Sequence, residues 1–193
     1  MTYIFCAFEA EARPIIDAYK LIKQKSDLYT IFTNENIHLI ISGMGQEKAK
    51  KSAQYLLSKV SVCKDDTFIN LGVCAARDSY SIGELLEIKS IHSDEVSYVL
   101  KPQSSDIKHV SCFSTREVQN KTSQTDIAEM EALGLYETLK DAFLPEKMGF
   151  FKVVSDNFRP FVPKKKFIIE LMQAHTVEIQ AHIKRLQGEY IVR

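Results

Sequence analysis

Short apolar runs alternate with polar segments along most of the chain. Runs of this length that are rich in β-branched and aromatic side chains are typical of buried strands. They occupy residues 3–8, 28–33, 37–42, 67–76, 82–93, 96–100, 109–113 and 150–155. The second and third runs are separated only by Asn34, Glu35 and Asn36, a spacing and composition that predict a β-hairpin.

Other segments carry apolar residues at helical spacing. Beyond the first strand, these predicted helices cover about 46–60, 126–139 and 165–187. The helix at 46–60 should face the core with Ala49, Ala53, Leu56, Leu57 and Val60. A further helix should follow the first strand and begin between Glu9 and Arg13, because Pro14 is best tolerated in the first turn of a helix.

Strands and helices alternate, but the hairpin and the neighbouring strands at 82–100 interrupt the alternation. This order favours a three-layer α/β/α domain with a mixed central sheet. A chain of 193 residues suits one domain with a sizeable core, so we expect a single domain over 1–193. Residues 101–108 and 114–125 are rich in Ser, Thr, Gln, Asn and Lys and should form surface loops.

The composition narrows the class of protein. Lys and Arg balance Asp and Glu at 25 each, so no basic field favours a nucleic-acid partner. No run approaches the roughly 20 apolar residues of a membrane span, and the N-terminus lacks the basic region of a secretory signal. The cysteines are scattered without a Cys-x-x-Cys pair, which favours free thiols in the cytoplasm over disulfides or a zinc site.

Three sets of acidic residues lie near the predicted strand ends, where ligands gather in α/β domains. Glu9 and Glu11 follow the first strand, Asp156 follows the strand at 150–155, and Glu131 lies near the beginning of the predicted third helix. Each also has a structural interpretation. The first two acids suit a helix N-terminus, Asp156 suits a turn, and Glu131 could face solvent or pair with a lysine.

Five motifs occur in a characteristic order. They are AFEAEA, ISGMGQEKA, INLGVCAA, EMEALGLY and KVVSDN. In these motifs the chain resembles the purine nucleoside phosphorylase and nucleosidase superfamily. It is most similar to the 5′-methylthioadenosine/S-adenosylhomocysteine nucleosidase branch, over residues 3 to about 158.

The resemblance implies a role for each acid. Glu131 matches the glutamate that accepts hydrogen bonds from the ribose hydroxyls, and Met130 matches the methionine that packs on the sugar. Asp156 matches the general acid at the purine, and Glu11 matches the glutamate that activates the attacking water. The implied reaction is hydrolysis of the N-glycosidic bond of a purine nucleoside or thionucleoside, with no cofactor and no metal. The implied partner is the nucleoside alone, without nucleic acid or membrane.

The chain departs from the family at the strand end Gly72–Ala76, where a family serine is replaced by Val73. Val73 and Phe113 are still predicted to contact substrate, although an apolar strand residue such as Phe113 is more often part of a core. His175 and His182 are interpreted as surface or packing residues. The loops at 101–125 are short for this family, so a neighbouring subunit of a homodimer or larger homo-oligomer could complete the pocket.

Two alternatives stay open at this point. A phosphorylase would need cationic donors for phosphate, and several arginines lie near predicted loops or strand ends. They are Arg13, Arg77, Arg116 and Arg159. The altered Gly72–Ala76 segment would also be compatible with a protein that binds a nucleoside without cleaving it. Hydrolysis is favoured because a carboxylate at Glu11 would repel phosphate.

Overall fold

The computed structural model describes residues 1–116, 125–159 and 163–188. The strands are β1 (Thr2–Cys6), β2 (Ile22–Gln24), β3 (Thr30–Thr33), β4 (Ile37–Ile41), β5 (Thr67–Ala76), β6 (Leu85–His92), β7 (Ser97–Val99), β8 (Lys108–Ser114), β9 (Ile127–Glu129) and β10 (Met148–Asp156). The helices are α1 (Glu9–Ala18), α2 (Gln46–Lys59), α3 (Ala132–Leu139), α4 (Lys165–Ala174) and α5 (Thr176–Gln187). A short 3₁₀ helix, Pro145–Lys147, precedes β10.

All described strands belong to one mixed sheet, and part of it closes on itself. β5 pairs in parallel with β1 and β10, and the far end of β5 pairs antiparallel with β9. β10 continues to β6, β6 to β8, and β8 to β9, so the five strands β5, β10, β6, β8 and β9 form a ring. Beyond β1 the sheet extends through β4, β3 and β2, and β3 and β4 form the predicted hairpin.

The helices cover both faces of the sheet, as predicted for a three-layer α/β/α fold. One core joins buried residues of α2 and α3, such as Ala53 and Leu135, to aromatic residues of the sheet such as Phe68. The other core joins α1, α4 and α5 to the opposite face, through residues such as Ile15 and Met172. The closed ring and these two layers bring the carboxyl ends of β1, β5 and β10 to the same end of the sheet.

The prediction of one helix over 126–139 was wrong in its first part. Residues Ile127–Glu129 form β9, and α3 begins only at Ala132. The short strand is set by tertiary pairing, because Ile127 lies opposite both Ala76 of β5 and Cys112 of β8. The spacing of apolar residues cannot predict a strand that forms only because it pairs with strands distant in sequence.

Three smaller expectations also need correction. Helix α1 begins at Glu9, within the predicted interval, but Pro14 lies beyond its first turn. A proline there costs about 3 kcal/mol through the lost backbone hydrogen bond, and burial of flanking residues such as Ile15 opposes that cost. Leu57 of α2 is exposed rather than inward-facing. The predicted helix at 165–187 is two helices, with His175 as the residue between α4 and α5.

The two histidines of this region have structural environments. His175 contacts the Gly83 carbonyl at 2.6 Å and the Glu178 carboxylate at 2.9 Å, which secures the break between α4 and α5. His182 is buried and stacks on Phe151, with 5.4 Å between ring centroids. Of the loops predicted at 101–108 and 114–125, residues 117–124 lie outside the described part of the chain. No helix in that part is long and apolar enough to cross a membrane.

Candidate functional site

Glu11 is a buried carboxylate held by backbone donors. It lies in the first turn of α1, directly after β1, and is only 3% exposed. Its Oε2 accepts a hydrogen bond from the Phe8 N–H at 2.9 Å, and its Oε1 accepts one from the Val73 N–H at 3.0 Å. Burial raises the pKa of Glu11, although nearby Lys152 and these backbone donors act to lower it. The side chain is therefore fixed at the end of β5 rather than pointing into solvent.

Gly72 makes room for Glu11. A Cβ atom at position 72 would lie 2.7 Å from Oε1 of Glu11, which is closer than real Cβ contacts allow. Gly72 lies opposite Lys152 in the β5–β10 ladder, so the gap left by its missing side chain also opens toward that lysine. The close approach of the Glu11 carboxylate therefore explains why position 72 is a glycine in this chain.

Glu131 lies between the beginnings of two helices. It is the N-cap residue of α3, is 7% exposed, and accepts a hydrogen bond through Oε1 from the Gly45 N–H at 2.8 Å. Gly45 is in turn the N-cap residue of α2, whose N-terminus favours an anion. The close approach depends on Gly134 of α3, where a Cβ atom would lie 2.3 Å from the carbonyl oxygen of Gln46.

A buried ion pair lies beside these two acids. The Lys152 ammonium is 3.0 Å from Oε2 of Glu129, and both side chains are 1% exposed. The same Oε2 accepts hydrogen bonds from the N–H groups of Glu131 and Ala132, each at 2.9 Å. Glu129 therefore joins β9, the first turn of α3 and β10 at one point.

The charges of this cluster shift the pKa of every member. Burial acts to lower the pKa of Lys152, but Glu129, Glu131 and Glu11 outweigh it and raise that pKa. Burial would raise the pKa of Glu129, yet Lys152 and several hydrogen bonds together lower it. Burial, followed by the neighbouring Glu129, raises the pKa of Glu131 to about 7. Burial together with specific charged partners shifts pKa values in this way at many functional sites.

Asp156 lies apart from this cluster, at the end of β10. It is four residues beyond Lys152, roughly 13 Å along an extended strand. Its Oδ2 accepts a hydrogen bond from the Ser155 hydroxyl at 2.8 Å, and its Oδ1 accepts one from the Phe158 N–H at 3.0 Å. Burial raises the pKa of Asp156 despite these two donors. The structure brings Glu11 and Glu131 together around Lys152, and a cavity shared by all three acids stays a prediction.

The other predicted contact residues have mixed environments. Met130 is half-buried between β9 and α3, and Val73 is half-buried beside Glu11. Phe113 lines a cavity of about 570 Å³ near the beginnings of α2 and α3, and among the described residues around that cavity it is the one predicted site residue. Its role as a stacking surface for a base stays a prediction.

Glu129 and Lys152 were missed by reasoning from the sequence. The available signal was a lysine within the otherwise apolar run Phe150–Val154, and the first of two acids in EME. A charge within a buried strand demands a partner, but its identity depends on the pairing of β8, β9 and β5. In the described part of the chain, no group of three or more His, Cys, Asp or Glu residues is arranged to hold a metal ion.

Comparison with solved structures identifies the architecture. The 5′-methylthioadenosine nucleosidase of Arabidopsis thaliana in its apo form superimposes with a TM-score of 0.78 at 14% identity, and 98% of each chain is covered. The chain has the fold of these nucleosidases. Two proteins of Helicobacter pylori are similarly close, each with 95% of this chain covered. A nucleosidase mutant holding 5′-methylthioadenosine in its active site superimposes with a TM-score of 0.75 at 12% identity, with 98% of its chain covered. The futalosine hydrolase superimposes with a TM-score of 0.74 at 12% identity, with 97% of its chain covered.

The sequence itself is far from these proteins. No protein-family model matches it, and no curated protein matches it either. The fold that the resemblance implies is thus confirmed. The roles of individual residues stay predictions.

We expect Gly72→Ala to displace the Glu11 carboxylate without unfolding the protein. The added methyl group would meet only the far end of a flexible side chain, which can move away and lose its hydrogen bond to Val73. A displacement of about 1 Å in an active site can cost roughly 10²-fold in rate. Single-turnover cleavage of a nucleoside, the activity proposed below, would measure the loss. The double variant with Glu11→Gln should be no slower than Glu11→Gln alone, and additive losses would contradict this explanation.

We expect Glu131→Gln to stabilise the ligand-free protein above neutral pH. The pKa of Glu131 is raised to about 7, so stability from its protonated form is complete below about pH 4.5 and is lost as the pH rises through 7. The glutamine stays neutral and can keep the Gly45 hydrogen bond, so the free energy of unfolding should rise by roughly 1–3 kcal/mol at about pH 8. Urea unfolding at about pH 5 and about pH 8 measures this change.

The exposed Glu47 offers a matched control, because Glu47→Gln changes the net charge equally without changing the buried cluster. This control should leave the free energy of unfolding nearly unchanged at both pH values. A Glu131→Gln variant that is less stable than the parent at about pH 8 would contradict the assignment of a strained, buried carboxylate.

Proposed function

We propose that this protein is a nucleosidase that hydrolyses the N-glycosidic bond of a purine nucleoside or thionucleoside. The observation that carries the proposal is the pair of buried carboxylates, Glu11 and Glu131, that gather around the buried ammonium of Lys152. The fold shared with 5′-methylthioadenosine nucleosidases supports the same class of substrate.

In the proposed reaction, Glu131 accepts hydrogen bonds from the ribose hydroxyls. One of its oxygens accepts a hydrogen bond from the Gly45 N–H, and the other can accept hydrogen bonds from substrate. Met130 packs beside the sugar, and Phe113 and Val73 contribute apolar contacts. The negative charge near the ribose stabilises the positive charge that develops on the sugar as the bond to the base breaks.

Glu11 and Asp156 would supply the two proton transfers. The Glu11 carboxylate accepts a proton from water as its oxygen attacks the anomeric carbon. Asp156 donates a proton to the imidazole ring of the departing purine, for which its raised pKa is suited. Each transfer is expected to contribute roughly 10²–10⁴-fold to the rate. The products would be the free base and the free sugar.

Water is preferred over phosphate as the nucleophile in this proposal. A carboxylate at Glu11 repels phosphate, and two of the arginines considered for phosphate are ion-paired to acids at the surface. Arg13 pairs with Glu9, and Arg116 lies 3.8 Å from the Glu95 carboxylate. The buried ammonium of Lys152 is already paired with Glu129.

A panel of nucleosides tests the proposal directly. 5′-Methylthioadenosine, S-adenosylhomocysteine, adenosine, inosine and futalosine would each be incubated with the protein, and the release of free base would be measured with and without phosphate. Release that does not depend on phosphate supports hydrolysis, whereas strict dependence on phosphate indicates a phosphorylase. Binding without release would indicate a nucleoside-binding protein.

Two further aspects belong to the same proposal. We place the protein in the cytoplasm, because three of its four cysteines, Cys6, Cys74 and Cys112, are buried free thiols. We also propose a homodimer or larger homo-oligomer in which a neighbouring subunit completes the pocket. Light scattering at the concentration used for activity measurements tests this, and a fully active monomer would contradict it.

A further inference from the structure

A buried lysine and a buried glutamate beside the proposed site have no role in the reaction described so far. Lys152 is a charged residue in the centre of β10, between residues that face the same core, Phe150 and Val154. Burying an ion pair costs several kcal/mol per ion unless the pairing is very good, so such a pair is weak evidence for stability alone. We propose that Lys152 and Glu129 are positioning residues that fix Glu131 and keep Glu11 ionised.

Glu129 acts on Glu131 through the backbone. Its Oε2 accepts hydrogen bonds from the N–H groups of Glu131 and Ala132, which are unsatisfied donors at the beginning of α3. This contact fixes the main chain of Glu131 from β9, while the Gly45 N–H fixes its side chain from α2. The carboxylate of Glu131 is therefore oriented by two independent elements before any ligand arrives.

Lys152 acts on Glu11 and Glu131 through charge. Glu129 faces the ammonium from β9, Glu131 from the beginning of α3, and Glu11 from α1 across the gap at Gly72. Three thiols also face the cluster, and burial raises the pKa of each, so they are neutral. They are Cys6 of β1, Cys74 of β5 and Cys112 of β8.

The charges of this buried cluster do not balance. Three carboxylates face a single ammonium, so the cluster is already short of positive charge. If Lys152 lost its charge, no cation among the described residues of the cluster would offset the repulsion between the acids, and Glu11 would take up a proton at a higher pH than in the parent. A protonated Glu11 cannot accept a proton from water. The lysine would thus set the pH above which the proposed reaction can proceed.

The proposal predicts shifts of opposite sign for two variants. Lys152→Met removes the positive charge and should raise the pKa values of the Glu11–Glu131 pair, whereas Lys152→Arg keeps the charge and should leave them close to the parent. Glu129→Gln removes a negative charge from beside Glu131 and should lower the pKa of Glu131. Loss of packing alone would not produce shifts of opposite sign.

Carboxyl titration in the ligand-free protein tests the proposal independently of catalysis. With ¹³C-labelled glutamate, carboxyl resonances assigned through Glu11→Gln and Glu131→Gln would be followed by NMR from about pH 4 to about pH 9. We expect the titration midpoints of the pair to rise by about one pH unit or more in Lys152→Met and the Glu131 midpoint to fall in Glu129→Gln. Unchanged midpoints in folded Lys152→Met, or a rise in Glu129→Gln, would overturn the proposal.

The inference rests on the proposed nucleosidase function only for its kinetic consequence. In an active protein, the acidic limb of the kcat/KM profile should move in the same direction as the midpoints, and Lys152→Arg should restore the parental profile. If no nucleoside in the panel is cleaved, the proposed function fails while the titration still decides the roles of Lys152 and Glu129. If Lys152→Met does not fold, the decrease in the Glu131 titration midpoint that is expected for Glu129→Gln decides whether the proposal holds.

Discussion

Glu11→Gln is expected to slow single-turnover cleavage of a purine nucleoside by roughly 10²–10⁴-fold. The reason is that an amide cannot accept the proton that water loses as it attacks the sugar. Binding should change much less, because Glu11 contacts the attacking water in the proposed reaction rather than the sugar or the base. The amide oxygen can keep one of the two backbone hydrogen bonds, from Phe8 or Val73, so the position of the side chain should be largely retained.

Rapid-quench measurement of base release, beside calorimetric binding of a non-hydrolysable nucleoside analogue, separates these two effects. Glu9→Gln is the matched control, since Glu9 lies two residues away in the same helix and pairs at the surface with Arg13. The control should cleave at nearly the parental rate. A Glu11→Gln variant that is as fast as this control would remove Glu11 from the role of general base.

Much of the fold could be predicted from the sequence because its strands are strongly apolar. The run at 67–76 is β5, buried on both faces, and the hairpin of β3 and β4 follows from the polar turn Asn34–Asn36. Closure of the ring could not be predicted in the same way. β9 has only three residues, and its conformation is set by pairing with β5 and β8, which are distant in sequence.

The candidate site was predictable only where a motif marked it. Glu11 and Glu131 were predicted because acids near strand ends coincided with a family-like order of motifs. The structure places both of them around Lys152, and their roles stay predictions. Lys152 and Glu129 were not found, because their significance lies in a 3.0 Å contact between β9 and β10. A charged residue in an apolar run shows that a partner must exist, but the sheet decides which residue that partner is.

The cluster also illustrates why such a site costs stability. A carboxylate that is buried without substrate has a raised pKa, as Glu131 does, and its ionisation near neutral pH destabilises the ligand-free fold. Hydrogen bonds from substrate hydroxyls would favour the ionised form and offset that cost on binding. The stabilisation expected for Glu131→Gln and the proposed binding of ribose hydroxyls by Glu131 thus have one physical origin, the buried carboxylate.

Asp156→Asn is expected to reduce cleavage of purine nucleosides by roughly 10²–10⁴-fold, because an amide cannot protonate the departing base. The variant should fold normally. Its Oδ1 can still accept from the Phe158 N–H, and the Ser155 hydroxyl, which donates to Oδ2 at 2.8 Å in the parent, can rotate and accept from the new amide instead. Activity of the parent should also fall as the pH rises through the raised pKa of Asp156, since only its protonated form is an acid.

A change of leaving group distinguishes this role from a general loss of structure. A riboside with 4-nitrophenol as the leaving group needs no proton to depart, so Asp156→Asn should cleave it at close to the parental rate while failing on purine nucleosides. Glu11→Gln should be slow on both substrates, because water must be activated in either case. Equal losses on the two substrates for Asp156→Asn would contradict the general-acid role. Cleavage of purine nucleosides at the parental rate would remove Asp156 from the proton transfer altogether.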